Sequence, residues 1–184
     1  TLSKAWRLAA AACAAVWLAL APASGFAADA ASLEYAIKAN YLYKFGAYVE
    51  WPGAAFASPT SPFKLCVAGE DPFGPVLDQA VDGQRIQGRP IVVTRLKVLA
   101  PNPDCHILYL GYDAQRTGLS LEALRGSRVL TVSDASGAGA MVGFVVRDRR
   151  VRFVIDDAEA AQSGLTISSK LLDLALSVKP RPGR

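Results

Sequence analysis

Three groups of residues in this 184-residue chain have the types and spacing for chemistry. The first is a cysteine pair, Cys66 and Cys105, the two cysteines outside an apolar N-terminal segment that also holds Cys13. In an oxidising compartment two such cysteines suggest one disulfide. Closing a loop of roughly 40 residues stabilises a fold by about 4 kcal/mol in the chain-entropy model. The pair reads as a structural staple, as a redox-sensitive bond, or as two free thiols. The second group is Gly69-Glu70-Asp71-Pro72-Phe73-Gly74, a strand-to-helix turn. Its two acids repel the anions that a helix N-terminus otherwise attracts. It nevertheless lies where a strand ends, the place at which open α/β sheets bind ligands. A small-ligand site there would use Glu70, Asp71 and Phe73. The third is Arg147-Asp148-Arg149-Arg150-Val151-Arg152, a charged stretch that reads as a solvated turn or as a surface for an acidic partner.

Catalytic chemistry finds little support. His106 is the single histidine and stands in an apolar run beside Cys105, which suits a structural role. Ser168-Ser169-Lys170 has the composition of a Ser/Lys pair, but the serines serve better as a helix cap. No clustered His, Cys and carboxylate set proposes a metal, no phosphate loop or nucleophile elbow is present, and no cofactor is implied. The chain reads as a non-enzyme.

These groups need elements to position them. Residues 33–51 carry helical periodicity, with Ile37, Tyr41 and Tyr48 on one stripe, Leu42, Phe45 and Val49 beside it, and Lys38, Lys44 and Glu50 on the polar side. Pro52 is the expected stop. The stretch YLYKFGAYVEWP concentrates five aromatic residues, expected in the core or at a dimer interface. Strands are expected at 62–69, 88–96, 105–111 and 128–134, with a helix capped by Asp71 and a short helix at 120–125 between them. MVGFVV and VRFVI flank four polar residues as an antiparallel hairpin. A short helix capped by Asp156 or Asp157 follows, and then a closing helix capped by Ser168 or Ser169. The pattern predicts an α/β fold, a single domain with a mixed sheet flanked by helices (Rossmann-like), ending in a C-terminal β-hairpin and closing helix.

The first residues, TLSKAWRLAAAACAAVWLALAPASGFAADA, have the layout of a signal peptide: Lys4 and Arg7, an apolar run from Leu8 to Leu20, then small residues. Cleavage before Ala28 is expected, with Ala23 as the second choice of cut and a retained anchor as the competing reading. The expected organisation is a signal peptide at 1–27, an exported domain at 28–178 and a disordered basic tail at 179–184. The body from Ala28 to Val178 has fifteen basic and sixteen acidic residues, so the basic footprint of a nucleic-acid binder is missing. No later segment is apolar enough to insert in a membrane.

Taken in order, YLYKFGAYVEWP, KLCVAGEDPFG, CHILYLG, VLTVSD, MVGFVVRDRRVRFVID and GLTISSKLLDLA resemble the YfiR family of periplasmic regulators over most of the span from Leu33 to Val178. The chain departs in detail: the family often has two glycines before Met141, asparagine at the place of Gly143 and LYNF where this chain has LYKF. The resemblance implies a repressor that binds the periplasmic sensory domain of an inner-membrane diguanylate cyclase, YfiN, or of a sensor kinase. Binding lowers cyclic di-GMP and biofilm formation. It also implies a homodimer and redox control through a disulfide, with Cys66 and Cys105 at the family's cysteine positions. A second cysteine pair that some relatives carry is missing here. The partner surface is expected to draw on Phe153, Glu159, Leu165 and Ile167. The alternative is a small-ligand-binding protein using the cleft at Glu70, Asp71 and Phe73.

Overall fold

A computed structural model describes residues 24–113, 124–134 and 139–183. In chain order its elements are α1 (Ser24–Phe45), β1 (Val49–Glu50), β2 (Phe63–Ala68), α2 (Pro75–Val81), β3 (Arg85–Ile86), β4 (Arg89–Leu96), β5 (Ile107–Leu110), β6 (Leu130–Asp134), β7 (Val142–Arg147), β8 (Arg150–Asp156), α3 (Asp157–Gln162), β9 (Thr166–Ile167), α4 (Ser169–Leu174) and β10 (Ser177–Lys179). The sheet and its core belong to one unit, Glu34–Arg184; Thr1–Leu33 is a separate unit, whose described part is the opening of α1. The signal-peptide and cleavage readings fall largely outside the described residues, as does most of the helix expected at 120–125.

Eight strands form one mixed sheet in the order β10-β8-β7-β6-β5-β2-β4-β3. From β4 to β7 five neighbouring strands run parallel. The two ends add antiparallel pairs, β7 with β8 and β3 with β4. The central strands β2, β5 and β6 are buried along almost their whole length, which explains their near-continuous apolar sequences. β4 alternates between half-buried and exposed residues because it lies near the sheet's edge. The expected hairpin forms with a two-residue turn, Asp148-Arg149. Both residues have positive φ, 51° and 58°, as the twist of a tight hairpin requires.

One face of the sheet carries the larger core. Leu42 and Phe45 of α1 are fully buried there among Phe63, Leu65, Ile107, Leu130, Phe144 and Phe153. The Phe45 ring meets Phe153 edge-on at 5.1 Å and stacks on Phe144 at 5.7 Å. Trp51 packs edge-on against Phe63 at 5.1 Å and donates its indole N–H to Arg128 O at 3.0 Å. Tyr41 and Tyr43 are partly buried against the same core, while Tyr48 is 39% exposed. Most of the aromatic stretch therefore fills the core.

Three sequence expectations change. The helix ends at Phe45, six residues before Trp51. At Gly46 a Cβ would lie 2.6 Å from Ile86 Cδ1 and 3.0 Å from Phe63 Cζ, so the backbone itself packs against the sheet. The chain then turns through Gly46–Tyr48, and β1 pairs with β9, with Ser168 N–H donating to Tyr48 O. Tertiary pairing captures the segment before Pro52 can act. The closing helix likewise stops at Leu174, because Leu176 N–H bonds Phe153 O and 177–179 run parallel along β8. Lys179, placed by sequence in a disordered tail, thus closes β10, and Arg181 makes a two-bond ion pair with buried Asp157.

Replacing Phe45 by Ala is expected to cost about 3–5 kcal/mol in urea unfolding, whereas Tyr48→Ala stays within about 0.5 kcal/mol. Equal effects would show that the α1 aromatics do not hold helix to sheet as described.

Candidate functional site

The chain passes from β2 to β4 on one side and then to β5 on the other, so the carboxyl ends of β2 and β5 mark the sheet's switch point. Open sheets bind ligands in the crevice at such a point. Here backbone fills it. Gly111 N–H donates to Ala68 O at 2.8 Å, and a Cβ on Gly111 would lie 2.1 Å from Glu70 O. Glu70 N–H donates to the Asp113 carboxylate at 2.5 Å.

Asp71 Oδ1 accepts from the N–H groups of Phe73 and Gly74, and its Oδ2 binds Arg95 Nε at 2.7 Å. The other Arg95 nitrogens reach both Asp78 oxygens and Gly74 O. The hydrogen bonds that Arg95 donates to Asp78 and Asp71 raise its pKa, and Arg95 lowers that of Asp78. This clamp moves the start of α2 to Pro75 rather than Pro72, with Asp71 capping the turn ahead of it. Phe73 is buried, 4.7 Å from the Tyr109 ring and 5.6 Å from that of Tyr35. Of the three residues expected to hold a small ligand, Glu70 alone is exposed; Asp71 and Phe73 serve internal contacts.

Beside Tyr109 lies a polar group that sequence reasoning missed. Lys38, expected on the polar face of α1, is 3% exposed. Its ammonium binds Glu34 Oε1 at 2.5 Å and Asp134 Oδ1 at 2.8 Å, and Tyr35 donates to Asp134 Oδ2 at 3.1 Å. Burial opposes the charged lysine, but its bonds to Asp134 and Glu34 outweigh burial and raise its pKa. Burial and the Asp134 charge raise the Tyr35 pKa, and burial does the same to Tyr109. The available signal was Glu34 four residues before Lys38, a helical ion-pair spacing. Protonated Lys38 bridges two carboxylates here; it does not present a nucleophile. Lys38→Met is expected to destabilise the fold by about 3 kcal/mol or more, since it leaves Asp134 without its cation. Adding Asp134→Asn should recover part of that loss in urea unfolding; no recovery would show that the two are not coupled.

On the opposite face, Cys66 and Cys105 form a disulfide within a second core made with Ala68, Leu99, Leu108, Leu124 and Val129. Cys66 is 1% exposed and Cys105 8%. The bond ties β2 to the segment that enters β5, beneath apolar cover that limits a reductant's access. His106 has the structural role expected of it. Its Nδ1 accepts from Lys64 N–H at 2.9 Å, leaving Nε2 to donate to Ala55 O at 3.1 Å. The ring stacks on Phe56 and Phe63. Burial lowers its pKa, helped by Lys64 and Arg89 and opposed by Ala55 O and Asp104.

Protonating Nδ1 would cost the Lys64 bond. A histidine whose folded-state pKa lies below its unfolded value of about 6.5 removes stability as pH falls through that window. The melting temperature of the native protein should therefore drop more between pH 7.5 and pH 5 than that of His106→Phe. An equal drop in both would remove His106 as the cause.

The residues expected to contact a partner separate into two sets. Phe153 (3% exposed), Leu165 (1%) and Ile167 (0%) are core. The strand period points Phe153 at Phe45, and the β1–β9 bridge buries Ile167 opposite Val49. Glu159 is half-buried and binds Arg125 Nε at 3.1 Å, on a helix whose N-cap Asp156 accepts from Glu159 N–H. Glu159 is thus the member of the set with its charge near the surface. Among the described residues no group of three or more His, Cys, Asp or Glu is placed to hold a metal. No described helix is long and apolar enough to cross a membrane.

Comparison with known proteins places this architecture. No curated protein matches the chain. A family model described as YfiR/HmsC-like matches residues 35–176, which span the sheet from before β1 to the edge of β10. The chain belongs to the YfiR/HmsC-like family.

Proposed function

We propose that this protein is a periplasmic repressor that binds the periplasmic sensory domain of an inner-membrane signalling protein, foremost a YfiN-type diguanylate cyclase. The family is a regulatory rather than a catalytic one and is tied to cyclic di-GMP signalling in the periplasm. The observation that carries the proposal is the extent of the match, which takes in nearly all of the folded unit and both cysteines. Repression follows by mass action: binding the inactive sensor conformation holds the population there, lowering cyclic di-GMP and biofilm formation. Redox control would act through the Cys66–Cys105 bond, whose loss frees the segment entering β5 from β2. A homodimer is part of the same proposal.

The burial of Leu165 and Ile167 changes how the partner surface is probed. A glutamate at either position would be a buried charge, so lost binding would report unfolding. Glu159→Ala is the informative variant, since it alters a residue that reaches the surface.

The test is a pull-down with the tagged protein from detergent-solubilised membranes, with and without reductant. Recovery of a membrane cyclase or sensor kinase is the expected result, and release by reductant would make the disulfide a switch. Recovery of no membrane protein in either state would overturn the proposal and leave small-ligand binding near Glu70 as the alternative.

A further inference from the structure

We propose that the β7–β8 hairpin carries a docking groove for an extended acidic segment of a protein partner, which adds as a strand beside Arg150–Arg152. The inference rests on the regulator reading for the partner's existence and on the following geometry for its chemistry.

β10 covers β8 only from Val154 to Asp156, and Leu176 N–H extends the pairing by one bond to Phe153 O. Beyond that point Arg150, Val151 and Arg152 pair with β7 on one side and with no described strand on the other. A strand whose outer edge is open offers its backbone groups to an incoming extended chain. Arg147, Asp148, Arg150, Arg152 and Leu176 line a groove of about 230 Å³ at this spot. Arg147 lies directly opposite Arg150 in the ladder, and Arg150 and Arg152 are two residues apart, so the three guanidinium-bearing side chains share one face of the sheet. Leu176, 38% exposed, gives the groove an apolar side.

These arginines differ from several other cations of the fold. Arg95, Arg181, Lys38 and Lys179 are each held by one or more carboxylates. Arg147, Arg149, Arg150 and Arg152 make no ion pair or side-chain hydrogen bond with any described residue. The turn between the strands is also strained for its sequence. Arg149 takes a left-handed backbone (φ 58°) that L-residues with long side chains rarely adopt, and it is exposed at the tip.

An extended peptide with acidic residues at alternate positions meets the arginine repeat and the open strand edge, with Asp148 the one acid in the groove lining. Side chains two apart on a strand recur about every 7 Å on one face, matching the Arg150–Arg152 repeat. Arginine forks bind carboxylates bidentately, and a strand edge supplies directional backbone bonds. A lipid surface offers no chain to continue a sheet. A second copy of this protein does not offer its own Asp156, Asp157 or Glu159, the acids that follow the turn, because these are engaged with Lys179, Arg181 and Arg125.

The test uses a fluorescent ten-residue peptide of alternating glutamate and threonine, its glutamine counterpart, and vesicles containing phosphatidylglycerol. Each is titrated with the full chain and with Arg150→Ala/Arg152→Ala. The expected result is binding of the glutamate peptide alone, weakened about tenfold or more by the double substitution and by raised salt, with an unchanged melting temperature. Unaltered binding in the variant would overturn the inference, as would no binding of the glutamate peptide. Binding to vesicles in place of peptide would assign the arginines to a membrane and also overturn it. In the membrane pull-down the two proposals separate. A partner retained equally by native protein and variant sinks the groove but not the regulator. A native protein that retains no partner sinks the regulator, and the peptide titration then decides the groove alone.

Discussion

The fold depends on the seating of α1 against the sheet through Phe45. That one ring touches Phe144 on β7 and Phe153 on β8, and so joins a helix near the start of the fold to the hairpin near its end. Burial of an aromatic side chain among other rings is among the larger single contributions a core of this size can draw on. Because the helix is held there, Lys38 is carried under cover to Asp134 and Gly46 is brought against Ile86 and Phe63. The early end of the helix, its buried ion pairs and the position of β1 all follow from that contact.

A buried lysine between two carboxylates is an uncommon choice for a core, since each charge gives up water and is repaid only by good geometry. Here the geometry is complete: Lys38 meets both acids, and Tyr35 takes the second Asp134 oxygen. The group fixes the carboxyl end of β6 relative to the helix, at the end of the sheet where related architectures open a ligand crevice. With Gly111 pressed on Glu70 beside it, that end is closed by backbone and salt bridge. The groove with unpaired charge lies instead at the hairpin, which suits a protein that recognises another protein.

How much of this the sequence disclosed depended on whether local or distant contacts decided each element. FKLCVA, ILYL and LTVSD were legible as strands because burial on both faces leaves a continuous apolar run. The hairpin and the Asp156 and Ser168 caps were legible because turn and cap chemistry is local. The end of α1 was not, since Val49 and Glu50 take strand form only by meeting Thr166 and Ile167 far along the chain. Lys38 was misplaced for a similar reason: helical period assigns a face, but the carboxylate that makes burial tolerable is 96 residues away. Phe153, Leu165 and Ile167 were singled out as contact residues for being apolar positions in and after the hairpin, and their apolar character proved to belong to the interior. The open edge of β8 depends on where β10 stops, which no local pattern records.

The same long-range pairings govern the order in which the protein can form. Phe45 has its ring partners at 144 and 153, β1 has its partner at 166–167, and β8 receives β10 from 177–179. Local segments can coil or turn early, but the central packing waits until both ends of the chain are in one place, a topology that folds slowly. Until those distant segments meet, the keystone contact between Phe45 and the rings at 144 and 153 stays open, and the cores on either side of the sheet cannot close.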